Sequence, residues 1–189
     1  MKGFDRKDLL FSLCGLNCGL CSMHLGGYCP GCGGGEGNQT CAIARCSLAH
    51  GKVEYCGQCV EYPCKRYENA QEYDGFITRQ NQRKDMQKAM TIGWQAYQAE
   101  QEEKAEILHE LLEQYNDGRR KTFYGVAVNL LELADLRDIR RRLRETASLP
   151  LKEKAAQAAA LLQETAEKRR VVLKLRKKPP EEKRADKMR

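Results

Sequence analysis

Apolar side chains recur with helical spacing from about residue 86 onward. One stripe of them predicts a single long helix in which Gly93 is tolerated. Its apolar positions are Met86, Met90, Trp94, Tyr97, Ala105, Leu108, Leu112 and Tyr115. Residues 116–118, Asn-Asp-Gly, are expected to end this helix as a C-terminal cap. Such a stripe is typical of core packing, so we predict a helical body here.

The same periodicity predicts three further helices. Residues 123–133 indicate a second, more buried helix, with Val126, Ala127, Leu130 and Leu131 on its apolar face. Asp135 is expected to cap a third helix that carries Leu136, Ile139 and Leu143. Residues 148–150, Ser-Leu-Pro, interrupt the pattern, and a long helix is predicted from there to about residue 176.

The chain before residue 67 has a different composition. Between residues 14 and 64 only 11 of 51 side chains are large and apolar, and nine of the 24 residues at 14–37 are glycine. Such a segment has high chain entropy and little to bury, so it cannot build a sizeable core of its own. A structural zinc ion contributes an apparent ~10–16 kcal/mol in small metal-folded peptides, enough to replace that core. The composition therefore predicts a bound metal independently of any motif.

All ten cysteines of the chain lie in this region. They are Cys14, Cys18, Cys21, Cys29, Cys32, Cys41, Cys46, Cys56, Cys59 and Cys64. They include three C-x2-C pairs, and two thiolates at this spacing can chelate one tetrahedral ion. In residues 29–33, Cys-Pro-Gly-Cys-Gly, proline and glycine favour a tight turn that points backbone N–H groups at the sulfurs. We predict all ten as candidate metal ligands. The six cysteines of the C-x2-C pairs are the strongest candidates, and the other four compete for the remaining coordination positions.

Eight thiolates suffice for two four-coordinate zinc ions, which we take as the expected cofactor. An iron–sulfur cluster uses the same ligands, and the spacing does not separate the two metals. Residues 14–21 also match the cluster triplet of radical S-adenosylmethionine enzymes, but the chain lacks the alternating strands and helices that those enzymes need. His24 and His50 are expected to be exposed loop residues. A catalytic zinc needs an open coordination position, which ten thiols disfavour, so we assign no catalytic residue.

The other use of ten cysteines is a disulfide framework, which belongs to oxidising compartments. Residues 1–8 carry two acidic side chains, and the apolar stretch that follows is short and interrupted by Ser12. This is not the pattern of a signal peptide, and no run approaches the roughly 18–20 apolar residues of a membrane span. We therefore predict a cytoplasmic protein with reduced thiols and no membrane contact.

The formal net charge of +7 is concentrated at the C-terminal end. Residues 165–189 contain 11 Lys or Arg and four Asp or Glu, which accounts for all of it. Such a segment could bind nucleic acid without sequence preference, through counterion release. No base-reading motif accompanies the charge, and no aromatic residue occurs from 125 to 189. A solvated tail beyond Pro179 is therefore the simpler interpretation.

The order of the cysteine motifs resembles DUF3795, a prokaryotic cysteine-rich domain of unknown function. The resemblance covers residues 13–67 and includes every cysteine, in the segments 14–21, 29–32, 41–46, 56–59 and the Tyr-Pro-Cys ending at 62–64. Ile92-Gly93-Trp94 with Gln98 and Gln101 is similar to the helix that follows in that family, whereas Leu13 stands where a tyrosine is usual. The resemblance implies a bacterial or archaeal cytosolic protein with a metal site, and it implies no reaction.

The predicted fold is mainly α. A small cysteine-rich, metal-binding N-terminal module with few short strands (residues 1–67) is expected to precede an α-helical body (68–147) and a long C-terminal helix with a basic tail (148–189). The predicted function is a structural zinc module that mediates interaction with a protein partner. The alternative is an iron–sulfur protein for electron transfer or redox sensing.

Overall fold

The computed structural model of the protein describes residues 2–35, 41–68, 73–146 and 148–178. Within these ranges the chain forms eight α-helices, so the predicted mainly α fold is confirmed. They are α1 (Ser22–Leu25), α2 (Ala42–Ala49), α3 (Lys65–Glu68), α4 (Gln82–Ile92), α5 (Trp94–Gln114), α6 (Lys121–Leu130), α7 (Leu133–Arg144) and α8 (Leu151–Lys168). Two 3-10 turns, Cys18–Leu20 and Cys56–Gln58, lie among the cysteines.

The few short strands predicted around the cysteines are not seen in the described residues. The β structure there consists of one isolated antiparallel bridge between Phe11 and Asn17. Turns and short helices occupy the rest of this region. Its glycine content is a physical reason, because glycine weakens strand interiors as well as helix interiors.

The helical body is organised around α5, which packs against α4, α6, α7 and α8. The apolar faces of α5 to α8 meet in one continuous core. Its most deeply buried large members are Leu108, Tyr124, Leu131, Leu136, Leu143 and Leu162. Leu20, from the first 3-10 turn, belongs to the same core, so the cysteine-rich region contributes to it. None of the helices in the described ranges is both long and apolar enough to cross a membrane.

Gly93 divides the predicted long helix into α4 and α5. Its φ of 91° lies in the region that favours glycine, and the helical conformation stops there. The Gly93 N–H still bonds the Ala89 carbonyl, and the Gly93 carbonyl accepts from Tyr97, so the two helices meet at this residue. The prediction of one uninterrupted helix is wrong. Of its apolar stripe, Met86 and Tyr97 are buried whereas Met90 is 40% exposed.

The helices α6 and α7 lie close to the positions that the sequence predicts. The expectation that Asp135 caps the third predicted helix is wrong, because α7 begins at Leu133 and its N-cap residue is Glu132. Asp135 lies in the first turn of α7. Its carboxylate pairs instead with Arg169, with an Oδ1–Nη2 distance of 2.7 Å. This ion pair joins the start of α7 to the end of α8.

The last helix ends earlier than the sequence predicts. It stops at Lys168, and Arg170 adopts a φ of 57° just beyond it. The Val171 N–H bonds the Ala166 carbonyl and the Arg170 N–H bonds the Glu167 carbonyl, which is the Schellman arrangement that closes a helix. The predicted helix to residue 176 is therefore wrong.

The segment that follows α8 returns to the loop before α4. Arg176 donates from its backbone N–H and from Nη2 to the two Asp74 carboxylate oxygens, at 2.8 and 2.9 Å. The Asp74 side chain is fully buried. The backbone N–H of Asp74 donates to the Arg176 carbonyl. The side-chain amide of Gln80 donates to the Lys174 carbonyl. Residues 179–189, which carry the rest of the predicted basic tail, lie outside the described residues.

Candidate metal centre

Arg6 holds three parts of the cysteine-rich region together. Its side chain is only 1% exposed. The guanidinium donates to the backbone carbonyls of Glu54 at 2.9 Å, Cys32 at 3.2 Å and Phe11 at 2.9 Å. Planar guanidinium is suited to this role because it carries five donors in a fixed arrangement. Sequence reasoning missed Arg6, because its acceptors are backbone atoms that no side-chain motif marks.

A first group of thiols, the first thiol set, consists of Cys14, Cys18, Cys21 and Cys32. The Cys18 thiol accepts the backbone N–H of Cys32. Burial, together with the neighbouring thiols of Cys32, Cys14 and Cys21, raises the pKa of Cys18 to about 12. The fold thus places several thiols close enough that their charges would repel one another. A cation among them would remove that repulsion.

The turn at residues 29–33 depends on glycine. Gly31 has a φ of 91°, and a Cβ atom there would lie 2.6 Å from the backbone oxygen of Leu9. Gly33 also has a φ of 91°, and a Cβ would meet Arg6 at 2.8–3.0 Å. The turn therefore lies tightly against the N-terminal segment. It presents the Cys32 N–H to Cys18, the kind of contact that the Cys-Pro-Gly-Cys-Gly sequence predicts.

A second group, the second thiol set, consists of Cys46, Cys56, Cys59 and Cys64. All four line one small cavity of about 30 Å³, together with His50, Tyr62 and other side chains. Cys46 comes from α2 and Cys56 from the second 3-10 turn, while Cys59 and Cys64 follow that turn. Burial raises the pKa of Cys56, and the thiols of Cys14, Cys64, Cys46 and Cys59 add to the shift. Four thiols from separate segments therefore surround one cavity.

Cys14, a member of the first set, also acts electrostatically on the second set. Burial raises its pKa, a Ser12 hydroxyl 3.3 Å from its sulfur opposes that shift, and Cys32 and Cys41 raise it further. Among the thiols that raise the pKa of Cys56 in the second set, Cys14 has the largest effect. The two sets are therefore electrostatic neighbours.

Two predicted ligands lie less centrally. Cys41 is exposed at the N-cap of α2, and Cys29 lies at the start of the glycine turn with its N–H bonded to the Met23 carbonyl. Neither lines the cavity of the second set. Their assignment as ligands stays a prediction. All ten cysteines are free thiols.

The two histidines differ from each other. His50 is exposed, as predicted, yet it lines the cavity of the second set; its Nδ1 lies 2.8 Å from the Cys46 carbonyl oxygen and 3.5 Å from the Cys46 sulfur. His24 is half-buried instead of exposed, and its Nδ1 is hydrogen-bonded to the Cys29 carbonyl at 2.9 Å. His50 is thus the histidine nearest to a thiol set.

As placed, no three Cys, His, Asp or Glu side chains in the described ranges are close enough to hold a metal ion. The donors nevertheless fit zinc or an iron–sulfur cluster in kind, because thiolates are ligands that both prefer. They also fit in number, since each set supplies four sulfurs. Coordination would require the thiols of each set to turn toward one another.

Asn17 is a second residue that the sequence did not mark. It lies between Cys14 and Cys18, is 2% exposed, and forms side-chain hydrogen bonds to three helices of the body. Its partners are 68 to 112 residues away in the chain, so no local spacing could have indicated them.

No family model, curated protein or solved structure was found to match this chain. The resemblance to DUF3795 therefore stays an expectation from the cysteine motifs.

Proposed function

We propose that the cysteine-rich region is a structural metal-binding module whose two thiol sets each hold one zinc ion. The observation that carries the proposal is the cavity of the second set, around which Cys46, Cys56, Cys59 and Cys64 are gathered from α2 and from the turns after residue 55. Cysteines with no common ligand would not be expected to line one cavity together. Four thiolates on one zinc ion form a closed, tetrahedral site of the structural kind.

The electrostatics of both sets support a cation. Cys18 in the first set and Cys56 in the second are each surrounded by several other thiols, which disfavour thiolate formation in the absence of a positive charge. A bound metal deprotonates a coordinating thiol outright. The Cys32 N–H that points at Cys18 would remain as a donor to a metal-bound sulfur.

The role of the module is proposed to be interaction with a protein partner. Exposed apolar side chains of the cysteine-rich region support this role. Val60 follows Cys59 directly and is 99% exposed, and Tyr28 precedes Cys29 and is 78% exposed. A closed metal site would fix the backbone that presents these side chains.

Elemental analysis and absorption spectroscopy of the full chain, purified without oxygen, test the metal proposal. We expect about two zinc ions per chain, since eight thiolates fill two closed sites. The Cys56→Ser variant should lose about one of them. Ser47→Ala is the matched control. Ser47 is a buried residue that lines the same cavity, and its hydroxyl donates to the Val53 carbonyl.

Three results would contradict parts of this proposal or the whole of it. Iron with a broad visible absorption would favour the iron–sulfur alternative, which uses the same sulfurs. Full zinc content in Cys56→Ser would remove the second set as a metal site. A chain that binds neither metal in stoichiometric amount would overturn the proposal as a whole.

A further inference from the structure

One side chain, that of Asn17, bonds the loop between Cys14 and Cys18 to three helices of the body. The Asn17 Nδ2 donates to Asp85 Oδ2 at 2.8 Å and to Asn129 Oδ1 at 3.3 Å. The Asn17 Oδ1 accepts from the Tyr97 hydroxyl at 3.0 Å. Asp85 is on α4, Tyr97 on α5 and Asn129 on α6, so the loop between two predicted ligands contacts three helices at once.

The backbone on the other side of the loop is held as well. The Gln82 side-chain amide donates to the Cys14 carbonyl at 2.7 Å. Gly15 has a φ of 88°, and a Cβ there would lie 2.9 Å from the Gln82 carbonyl oxygen and 3.2 Å from the end of Met86. The Tyr67 hydroxyl donates to the same Gln82 carbonyl. The loop therefore fits against α4 with almost no free space.

These contacts are costly to break. Asn17, Asp85, Tyr97 and Asn129 are each at most 7% exposed, and buried polar groups that lose their partners incur a desolvation penalty. Lys104, also buried, stands near Asp85 and donates to the Leu131 carbonyl at 2.7 Å. A movement of the loop would leave several of these groups without a partner. The network thus favours one position of Cys14 and Cys18.

We propose that Asn17 and its partners Asp85, Tyr97 and Asn129 position the first thiol set for its metal, so that metal binding there and packing of α4 to α6 stabilise each other. This proposal rests on the proposed metal-binding function. Asn17 is a positioning residue and not a ligand. Coupling free energies are reciprocal. The free energy that the network adds to metal binding is therefore the same as the free energy that bound metal adds to the packing of the network.

Two buried tyrosines offer a matched test. Tyr97 donates from its hydroxyl to Asn17 at 3.0 Å, and Tyr115 donates from its hydroxyl to the Leu143 carbonyl at 3.1 Å. Both are at most 3% exposed. The Tyr97 hydroxyl bonds the loop between Cys14 and Cys18, whereas the Tyr115 hydroxyl bonds α7. Tyr97→Phe and Tyr115→Phe each remove one buried hydroxyl. Comparing them separates a general loss of stability from a loss of metal positioning.

The measurement is zinc affinity of the full chain, by competition with a chelator of known affinity. We expect Tyr97→Phe to lower the affinity for one of the bound ions roughly fivefold, the size of one hydrogen bond, and Tyr115→Phe to leave both affinities within about twofold. Circular dichroism confirms that both variants are folded. Equal affinities in the two variants would overturn the coupling while leaving the metal proposal intact.

Hydrogen exchange on the unmodified chain tests the same idea without a variant. Zinc should slow exchange of amides in α4, α5 and α6 near Asp85, Tyr97 and Asn129, and not only of amides among the cysteines. Protection confined to residues 14–64 would contradict the coupling. Absence of any bound zinc in the unmodified chain would instead overturn the proposed function, and the coupling with it.

Discussion

In the helical body, side chains such as Leu108 and Leu162 meet in one apolar core. In the cysteine-rich region, by contrast, the buried guanidinium of Arg6 joins three segments through backbone carbonyls. That region has a small cluster of its own, formed by Phe4, Leu13 and Ala44. The comparison shows that periodic apolar positions form the core of the body, whereas specific polar contacts join the segments of the cysteine-rich region.

The two regions are joined by an aromatic contact as well as by Asn17. Tyr55 stacks on Trp94 at the start of α5, with ring centroids 4.1 Å apart and planes within 10°. Phe11 packs against Tyr97 with centroids 4.8 Å apart. The cysteine-rich region therefore borrows apolar surface from α4 and α5. Together with the cluster of Phe4, Leu13 and Ala44, this explains how a segment with few large apolar residues buries its side chains.

The largest expected effect is that of metal removal. Chelation should make residues 14–64 sensitive to protease, because a structural zinc ion contributes an apparent ~10–16 kcal/mol in small metal-folded peptides. Most helical circular dichroism should remain, since the core of α5 to α8 contains no cysteine. Limited proteolysis with mass spectrometry, before and after chelation, measures the difference. Collapse of both regions together would refute the division at about residue 67.

The second prediction concerns Arg6. In Arg6→Lys the three donors sit on one nitrogen and cannot reach the three carbonyls that Nε, Nη1 and Nη2 of the planar guanidinium bind, so we expect the free energy of unfolding to fall by about 3 kcal/mol. Arg119→Lys, at an exposed arginine of the body, is the control and should change it by less than about 0.5 kcal/mol. Chemical denaturation measures both. If the two variants were equally stable, the cysteine-rich region would not depend on this guanidinium.

The third prediction is a pH dependence that comes from Asp85. Burial raises the pKa of Asp85 from 3.8 to about 6, against the opposing effects of Lys104, Asn17, Tyr97 and Lys84. A carboxyl whose pKa is raised on folding contributes stability at low pH that is lost as the pH rises through the folded pKa. The difference between 3.8 and about 6 corresponds to about 3 kcal/mol.

The stability of the unmodified protein, taken relative to that of Asp85→Asn at each pH, should therefore decline between pH 4 and about 7. Asp138→Asn removes an exposed carboxylate of α7 and should keep the decline of the unmodified protein. Measuring the slope against pH, and not the absolute stability, separates titration from the loss of the Asn17 contact. Identical slopes in all three proteins would contradict a buried, titrating Asp85.

The sequence predicted the helical body well because periodicity reports burial directly. The stripe around Leu136, Ile139 and Leu143 became the buried face of α7. The prediction from periodicity failed at Gly93. There the apolar pattern continues on both sides but the helical backbone is interrupted, because a positive φ is not visible in apolar spacing. It also failed at Arg170, where a Schellman closure formed without glycine.

The candidate site could be predicted only in part. The spacing identified Cys56 and Cys59 as a pair, but their meeting with Cys46 depends on how α2 packs against the later turns. Nothing in the sequence near Asn17 or Arg6 indicates their partners, because all but one of these lie tens of residues away and several are backbone atoms. Long-range contacts of single polar side chains carry no periodic signal.

The smallest expected effect concerns the basic end, for which contact with nucleic acid without sequence preference is the alternative to a solvated tail. Residues 165–178 contain seven Lys or Arg and one Glu, whereas 179–189 add four Lys or Arg and three Asp or Glu. Most of the excess charge thus lies in the described segment. There Lys168, Arg169 and Arg176 already pair with Glu164, Asp135 and Asp74, which lowers the charge offered to phosphates.

Two truncations separate the contributions to this contact. A chain ending at Lys178 loses a net charge of only +1, whereas one ending at Leu175 loses +4, including Arg176 and its pair with Asp74. On duplex DNA, the logarithm of the binding constant should fall with the logarithm of salt concentration by about 0.9 per phosphate neutralised. We expect binding to survive the first truncation and to be lost in the second, with zinc content unchanged in both because no cysteine follows Cys64. Binding undetectable even at low salt, or unaltered by the second truncation, would show that the basic end does not contact nucleic acid.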